Sequence, residues 1–379
     1  MDLPDELLLL IFTLGILDVS TRWAVANVCQ KWRRIIMDRS LWKGQSIGNI
    51  QGQWYMGTSS EDYLDTFGKT DTVSTFLHVD LTLTPAEHDL FKWLLSMADS
   101  VELGRSAMGM HDQEHPFPFE MLSLSSNSLT KMVLHLPNDH LPAPLNPELC
   151  QRLTSLVLMV PQPYINAWFR RWRSVIVSLP RLDSLCLTGC LAAASWQPET
   201  WPMNAFACLR RLDLHYIDDL ALEAIAQRAR ENLVELTVAN PSALVSSQYL
   251  VDHCPKLTHL ALGRPQLSFV MALAAQLTYL EIENMFCATD ITPLVPKLST
   301  CMTHCVIRQR LIAPHGSPWT WTHLLQGHTL RVLDLTFQAT HSGEEAFDAY
   351  VAQFRDTHNT NDCEFSEYNG YFTAKLMIL

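Results

Sequence analysis

One spacing pattern dominates the sequence: a leucine, or another apolar residue in its place, recurs as Leu-x-x-Leu-x-Leu along most of the chain. The clear motifs begin at Leu153, Leu182, Leu209, Leu233, Leu257, Leu277 and Leu330, and looser ones begin at Leu129 and Met302. Successive motifs start 20 to 29 residues apart. Because alternate residues of a strand point to the same side, each motif predicts a short strand with one apolar face. A period this regular predicts a stack of similar units.

The pattern resembles that of leucine-rich repeats. The resemblance implies a curved parallel sheet inside, helices and loops outside, and units that contact only their neighbours. Residues 220–229 have the periodicity of a helix, whereas the Pro-rich segments 137–147 and 161–163 favour loops, so we expect an irregular array. An ordinary α/β domain with amphipathic strands is the alternative, because only Cys190 and Asn240 lie near the motif's ninth position, which the family fills with Asn or Cys.

The N-terminal segment has a different period. Leu7, Leu10, Ile11, Leu14 and Leu17 recur three and four residues apart, which predicts an apolar stripe along one helix. Two further short helices are predicted before residue 37. A unit of about 40 residues cannot bury this much apolar surface alone. It should therefore present an apolar face to a partner.

Four elements of this segment, in order and spacing, match the F-box pattern: Leu3-Pro4-Asp5-Glu6-Leu7, Ile11-Phe12, Val28-Cys29-Gln30-Lys31-Trp32 and Leu41-Trp42. Residues 2–43 thus resemble an F-box, with one departure at Arg22-Trp23, where the family more often has two aliphatic residues. The resemblance implies binding to a Skp-type adaptor, which holds a cullin and its ubiquitin-transferring machinery. The residues it implies for this contact are Leu3, Pro4, Leu7, Ile11, Val28, Trp32, Leu41 and Trp42. A simple N-terminal cap on the array is the alternative.

The predicted fold class is α/β: a three-helix F-box followed by an irregular leucine-rich-repeat solenoid. We expect the F-box at 1–45, a linker with degenerate first repeats at 46–125, the array at 126–340 and a C-terminal cap at 341–379. The degenerate strands would begin at Phe76 and Ala98. In the cap we expect a helix over 344–354, a polar loop, and an apolar strand over 371–379.

The motif also predicts which side chains the sheet exposes. The third and fifth positions, and the residue after the last leucine, alternate with the core and should line the concave face. They supply a mixed-charge surface that suits a protein ligand, and Glu281 with Glu283 would favour a basic segment. A merely solvated face is the alternative. The candidate target-binding residues are Lys131, His135, Arg211, Asp213, His215, Glu235, His259, Tyr279, Glu281, Glu283 and Arg308, and His304 and Asp334 share this face.

Composition limits the partners and the compartment. The 27 Lys and Arg residues against 39 Asp and Glu residues give a net charge of −12, which disfavours nucleic acid as a partner. The longest apolar run, 7–17, is shorter than the roughly 20 residues of a membrane span, so we expect no membrane insertion. Acidic residues replace the basic start of a signal peptide. With ten unpaired-looking cysteines, these features predict an intracellular protein, cytoplasmic or nuclear.

No motif predicts catalysis. Cys301, His304 and Cys305, or Cys186 with Cys190, have metal-ligand chemistry, but Cys305 and Cys190 fill motif positions that burial explains. The chain has no P-loop lysine, no Gly-x-Ser-x-Gly and no His-Glu-x-x-His. We therefore expect no catalytic residue, cofactor or metal.

The function favoured by the sequence is substrate recognition in a Skp-cullin-F-box ubiquitin ligase, leading to ubiquitination and proteasomal degradation of a target protein. The chain would itself be non-catalytic. Two alternatives stay open: a scaffold or repeat module that engages no cullin, and an enzyme that uses the repeats as a framework.

Overall fold

A computed structural model describes a large part of the chain in two compact units, Met1–Thr188 and Gly189–Leu379. The described residues are 3–14, 19–36, 38, 41, 45–50, 53–58, 76–80, 92, 94–95, 98–104, 129–135, 147–159, 176, 178–191, 205–217, 219–239, 248–263, 265–285, 294, 297–298, 301–309, 332–338, 363–368 and 371–377.

The N-terminal unit begins with the three predicted helices, α1 (Asp5–Leu14), α2 (Val19–Ala26) and α3 (Gln30–Ile36). Asp5 lies in the first turn of α1, where a negative charge is favourable beside the positive end of the helix dipole. Helix α3 packs against both α1 and α2. Its Lys31 donates to the Leu3 carbonyl at 2.7 Å, and its Arg33 donates to the Ala26 carbonyl at 3.1 Å. One basic helix thus holds the other two.

Seven strands follow in the N-terminal unit, in the spatial order β2-β1-β3-β4-β5-β6-β7. They are β1 (Gln45–Ile50), β2 (Gln53–Thr58), β3 (Phe76–Asp80), β4 (Ser100–Gly104), β5 (Lys131–His135), β6 (Ser155–Met159) and β7 (Ser184–Leu191). Strands β1 and β2 form an antiparallel hairpin, and the other neighbours pair in parallel. A one-turn helix, α4 (Pro147–Cys150), precedes β6.

The two degenerate strands predicted before residue 126 are present as β3 and β4. The β1–β2 hairpin was not predicted, because its sequence carries no leucine motif. It adds two strands to the segment that the sequence analysis assigned to a linker and degenerate repeats.

The C-terminal unit holds strands in the order β8-β9-β10-β11-β12-β13-β15-β14. They are β8 (Arg211–Ile217), β9 (Glu235–Ala239), β10 (His259–Leu262), β11 (Tyr279–Met285), β12 (His304–Gln309), β13 (Val332–Gln338), β14 (Cys363–Tyr368) and β15 (Tyr371–Met377). Strands β8 to β13 pair in parallel. Three helices lie between them in sequence: α5 (Asp219–Ala229), which matches the predicted helix, α6 (Gln248–His253) and α7 (Leu267–Leu273).

The array ends in an antiparallel hairpin. Strand β15, which was predicted, pairs antiparallel with β13 and with β14. Strand β14 corrects the prediction of a polar loop in this region: Cys363 and Phe365 alternate with Glu364 and Ser366, and the polar members of that alternation concealed the strand. The helix predicted over 344–354 lies outside the described residues.

The core is the predicted set of motif residues. Of the motif leucines and their replacements that the structure describes with side chains, from Leu129 to Cys305, each is 3% exposed or less. Apolar side chains of the helices, such as Leu222 and Ile225 of α5, are fully buried as well. Within each unit, alternate strand positions and buried helix side chains therefore form an apolar layer, which confirms a parallel α/β arrangement of the repeat type.

A shared backbone acceptor connects each repeat to the one before it. The Thr258 carbonyl accepts hydrogen bonds from two successive amides, Thr278 N at 2.8 Å and Tyr279 N at 3.1 Å. The same paired bonds recur at the carbonyls of Asp99, Thr130, Thr154, Arg210, Val234 and Thr278. Each of these residues occupies the second motif position, directly before the strand. The strand register is therefore fixed before the ladder begins.

Threonine side chains reinforce this link. The Oγ1 atoms of Thr154, Thr278 and Thr303 donate to the same carbonyls, at 3.2, 3.2 and 3.0 Å. A similar bond from Thr130 to the Asp99 carbonyl is longer, at 3.5 Å. Side chains near the entry to the strand also connect repeats, since Asn232 Nδ2 donates to the Ala207 carbonyl at 2.7 Å.

We predict that Thr278→Val destabilises the chain by about 1 kcal/mol. Valine keeps the shape and removes a hydroxyl donor, and a net side-chain hydrogen bond contributes about 0.5–1.5 kcal/mol. Urea unfolding would measure the change, and Thr278→Ser should restore most of the loss. The matched control is Thr237→Val at a half-exposed position of β9, and an equal loss in both variants would contradict the assignment.

Candidate protein-interaction surfaces

The first candidate surface is an apolar stripe on α1. Leu3, Leu7, Leu10 and Ile11 are between 45% and 50% exposed, and Val28, at the turn before α3, is 62% exposed. Leu10 and Ile11 lie three and four positions after Leu7, which places the three on one side of α1, and Leu3 lies four positions before Leu7, just ahead of the helix. They are the exposed large hydrophobic residues of the part of the chain that the structure describes.

The opposite side of α1 holds the helices together. Leu8 and Phe12 are buried, and the Phe12 ring meets the Trp32 ring edge to face at 5.8 Å. Asp5 forms ion pairs with Lys31, at 3.3 Å, and with Arg34. Because these contacts use the inner side, the outer stripe is not required for the packing of the three helices.

The other predicted adaptor-binding residues vary in their exposure. Pro4 is exposed beside the stripe, whereas Trp32 is half-buried against Phe12 and Leu41 is buried. Trp42 lies outside the described residues. Leu10 belongs to the exposed stripe although the family resemblance did not nominate it, and its helical spacing from Leu3 and Leu7 was the available signal.

Arg22, the departure from the F-box pattern, has a structural role. It is only 6% exposed, and its Nη1 donates to the Leu41 carbonyl at 2.9 Å. Burial lowers the pKa of the Arg22 guanidinium, which stays charged because its ordinary value is so high. Arg22 therefore fixes the chain at Leu41, next to the last element of the F-box pattern.

The second candidate surface is the polar face of the C-terminal sheet, the side opposite the buried leucines. Its described side chains are Arg211, Asp213 and His215 of β8, Glu235, Thr237 and Ala239 of β9, His259 and Ala261 of β10, Tyr279, Glu281 and Glu283 of β11, and His304 with the buried Val306 of β12. The parallel register aligns Arg211, Glu235, His259, Tyr279 and His304 in one row. Asp213, Thr237, Ala261 and Glu281 form the next row.

The first row is ordered by direct contacts. Arg211 pairs with Glu235 at 3.2 Å. The rings of His259 and Tyr279 stack with centroids 5.8 Å apart, and those of Tyr279 and His304 lie 5.7 Å apart. The Tyr279 hydroxyl donates to Glu281 Oε2 at 2.7 Å. The sheet register thus brings together candidates that the sequence could only place on the same face.

The remaining candidates are less grouped. In the N-terminal unit Lys131 is half-buried, and its neighbours at outward positions, Val133, Ser155 and Val157, are buried. This part of the sheet is therefore covered on both faces, in line with its apolar outward residues. His135 and Arg308 belong to β5 and β12, and their side chains lie outside the described part of the chain.

Three of the described cysteines, Cys150, Cys254 and Cys305, are core residues. Cys305 is fully buried, and burial raises the pKa of its thiol to about 12. Burial also raises the pKa of Cys254, to about 11. Cys305 points into the core, whereas the adjacent His304 is on the polar face with its Nδ1 2.9 Å from Thr303 Oγ1. Neighbouring strand residues whose side chains lie on opposite faces cannot share a metal ion.

His215 is a titrating group on the polar face. Its Nε2 lies 3.1 Å from Asp213 Oδ1. The hydrogen bond with Asp213 raises the pKa of His215, burial opposes this, and the charges of Asp213 and Glu283 raise it further. Since the folded-state pKa is raised, the interaction stabilises the fold fully below the unfolded-state pKa of about 6.5, and the stabilisation is lost as the pH rises through the folded-state pKa.

We predict that Asp213→Asn lowers the pKa of His215, as measured by NMR titration of its ring protons. The variant should also lose less stability than the original chain as the pH rises above about 6.5. Asp252→Asn, at an exposed position of α6, serves as the control and should leave the His215 titration unchanged. An unaltered His215 pKa in Asp213→Asn would refute the pairing.

Comparison with known proteins identifies the N-terminal segment. Residues 1–47 match the family model described as F-box-like. No curated protein matches the chain. Among solved structures, a chain of the Drosophila Toll–Spatzle complex is similar at 12% identity with a TM-score of 0.31; the match covers 67% of this chain and 43% of that one. The chain therefore matches less than half the length of that relative.

None of the described helices is long and apolar enough to cross a membrane. The matched family model coincides with the helices α1, α2 and α3 and with the exposed apolar stripe on α1. The match of residues 1–47 to the F-box-like model supports a general F-box adaptor role, and the chain continues into a parallel α/β array.

Proposed function

We propose that this chain is the substrate-recognition subunit of a Skp-cullin-F-box ubiquitin ligase. Its F-box-like domain binds a Skp-type adaptor, and through it a cullin. Its repeat array binds a target protein, which is ubiquitinated and then degraded by the proteasome. The chain works in the cytoplasm, the nucleus or both, and it contributes binding rather than chemistry.

The observation that carries the proposal is the exposed stripe of Leu3, Leu7, Leu10 and Ile11 on a helix that belongs to an F-box-like domain. Exposed apolar side chains in contiguous positions cost free energy in water, and this is relieved when a partner covers them. The inner side of α1 already packs on α3, so a partner that covers the outer side leaves the domain intact. Val28 extends the set of exposed apolar residues.

Trp32 and Leu41 support this surface from beneath. Trp32 packs against Phe12, on the inner side of α1, and Leu41 is held by Arg22. We assign Leu3, Pro4, Leu7, Ile11 and Val28 to direct adaptor contact. Arg22 is a positioning residue for the end of the domain.

The mechanism that follows is proximity. An adaptor bound at one end and a target bound on the array convert ubiquitin transfer between separate molecules into an effectively intramolecular step. We assign the F-box to 1–45, a linking segment with degenerate repeats to 46–125, the array to 126–340 and the cap to 341–379. The polar face of the C-terminal sheet is the proposed target surface.

We predict that Leu7→Asp weakens binding of the Skp-type adaptor by roughly 100-fold or more. The change removes a leucine contact and buries an unpaired carboxylate, each of which costs about 1.5–3 kcal/mol. Calorimetric titration of the full chain with the adaptor would measure the loss. Leu7 is about half exposed, so the fold should survive, whereas Trp32→Ala would also remove the Phe12 contact.

The control for this experiment is Ala272→Asp, which introduces the same charge at an exposed position of α7. It should leave adaptor affinity unchanged. Ile11→Asp tests the neighbouring position of the stripe and should repeat the loss. Adaptor binding that survives both stripe variants in a folded chain would show that this surface is assigned incorrectly.

We further predict that the chain, precipitated from cells, carries the cullin together with the adaptor, and that Leu7→Asp removes both. Quantitative mass spectrometry of the precipitates would measure each protein. Adaptor without cullin would reject the ligase and favour a scaffold that uses the same surface.

A further inference from the structure

The polar face of the C-terminal sheet has an uneven charge. Its charged side chains in the described residues are one cation, Arg211, and four carboxylates, those of Asp213, Glu235, Glu281 and Glu283. Arg211 is already paired with Glu235 at 3.2 Å. Asp213 lies 3.1 Å from His215 Nε2. Even when His215 is protonated, the four carboxylates outnumber the cations Arg211 and His215, and the resulting negative charge favours a cationic partner.

The carboxylates lie on two sides of a central area of the face, called here the low centre, where β9, β10 and the residue that follows β10 contribute only the small residues Thr237, Ala239, Ala261 and Gly263. Asp213 on β8 and Glu281 on β11 share one row, and the positions between them are Thr237 and Ala261. In the adjacent row Ala239 neighbours His215, and Gly263 hydrogen-bonds to β9 through the Val238 carbonyl at 2.7 Å. Three strand spacings separate β8 from β11, about 14 Å between Cα atoms, which leaves room for a ligand side chain above the small residues.

The two sides interact across this centre. Glu283 of β11 raises the pKa of His215 of β8, although two strands lie between them. In these rows the positions between the two strands hold only small side chains among the described residues, so nothing large separates the two sides. A cation placed there would feel carboxylates from both sides.

An aromatic row borders the centre. The His259, Tyr279 and His304 rings stand side by side across three strands, and the Tyr279 hydroxyl holds the Glu281 carboxylate at 2.7 Å. Tyrosine beside a carboxylate supplies a rigid, amphipathic contact with little entropy left to lose on binding. A carboxylate can accept several hydrogen bonds, so Glu281 can bind a ligand while it keeps the tyrosine.

We propose that the polar face of the C-terminal sheet docks an arginine-bearing basic segment of the target protein, with a guanidinium between Asp213 and the Glu281–Glu283 pair. That the bound segment belongs to a target protein rests on the proposed function, whereas the charge and the geometry of the face are independent of it. Arginine fits better than lysine because its planar group can form paired hydrogen bonds with a carboxylate and lie against tyrosine and histidine rings. A polyanion would meet an excess of like charge.

The test uses the full chain and two synthetic peptides. In one peptide arginines alternate with serine and glycine, and in the other glutamates replace the arginines. Fluorescence anisotropy would measure affinity. The isosteric variant Asp213→Asn/Glu281→Gln/Glu283→Gln should weaken binding of the arginine peptide by roughly tenfold or more, and the glutamate peptide should not bind.

The matched control removes the same charges elsewhere in the C-terminal unit: Asp252→Asn/Glu223→Gln/Glu231→Gln, on α5, α6 and the turn after α5. Both triple variants remove three negative charges from the chain, so they change its net charge equally. The control variant should change the affinity for the arginine peptide less than about twofold, because its substitutions lie away from the polar face and salt screens distant charges. Equal losses in the two triple variants would overturn the proposal, since they would indicate attraction by net charge alone.

A variant that introduces a guanidinium into the face tests the docking place independently. Ala261→Arg places a guanidinium of the chain itself in the low centre, where it should compete with the peptide and reduce its affinity. Thermal unfolding of every variant, followed by circular dichroism, establishes that it is folded. A folded Ala261→Arg that binds the arginine peptide as well as the original chain would contradict docking at this place.

Adaptor binding is measured in parallel on the same variants. A chain that binds the Skp-type adaptor but shows no face-dependent binding of the arginine peptide refutes this inference alone. A chain that binds the peptide through the face but does not bind the adaptor refutes the proposed function alone.

Discussion

The repeat array depends on one backbone acceptor in each unit. The carbonyl at the second motif position receives the two amides that open the next strand, as at Thr258, where Thr278 and Tyr279 both donate. In a parallel ladder, a slip of one residue would turn the leucines outward and the polar residues inward. At seven such carbonyls among the described residues the paired bonds fix the start of the next strand, and the threonine hydroxyls add a third donor in several units. Burial of the leucines and alignment of the polar rows are both consequences of this start.

The alignment matters for the surface as much as for the core. Because the strands start in register, His259, Tyr279 and His304 come from three different repeats and still stack as neighbours. The same register makes a row of Asp213 and Glu281 with only small residues between them. A leucine ladder thus specifies a polar surface indirectly, since whatever occupies the intervening motif positions is placed at a fixed spacing of about 4.8 Å.

Sequence reasoning reached the parts of this fold that depend on local pattern. The leucine spacing located the strands from β3 to β13, and the three- and four-residue spacing located α1, because burial imposes those periods. It missed the β1–β2 hairpin, which carries no leucine motif, and β14, whose apolar residues alternate with polar ones that resemble a loop sequence. It also could not show that Val133 and Val157 are covered, or that Arg22 reaches Leu41, since both depend on contacts between residues distant in sequence. The threonines at the start of the strands could be read from the sequence, but the carbonyls that accept hydrogen bonds from their hydroxyls could not.

The two candidate surfaces have opposite chemistry, and this has a functional consequence. The α1 stripe is aliphatic and offers no hydrogen-bonding group, whereas the polar face is acidic and aromatic. If an apolar partner that fits the α1 stripe docked on the polar face instead, it would bury carboxylates without partners, at a cost of about 1–3 kcal/mol for each. A basic partner that fits the polar face would likewise find no hydrogen-bonding group on the stripe. The two proposed partners therefore do not compete for one surface. Independent occupancy is what proximity requires, since an adaptor that displaced the target would separate the two reactants that the chain is proposed to hold together.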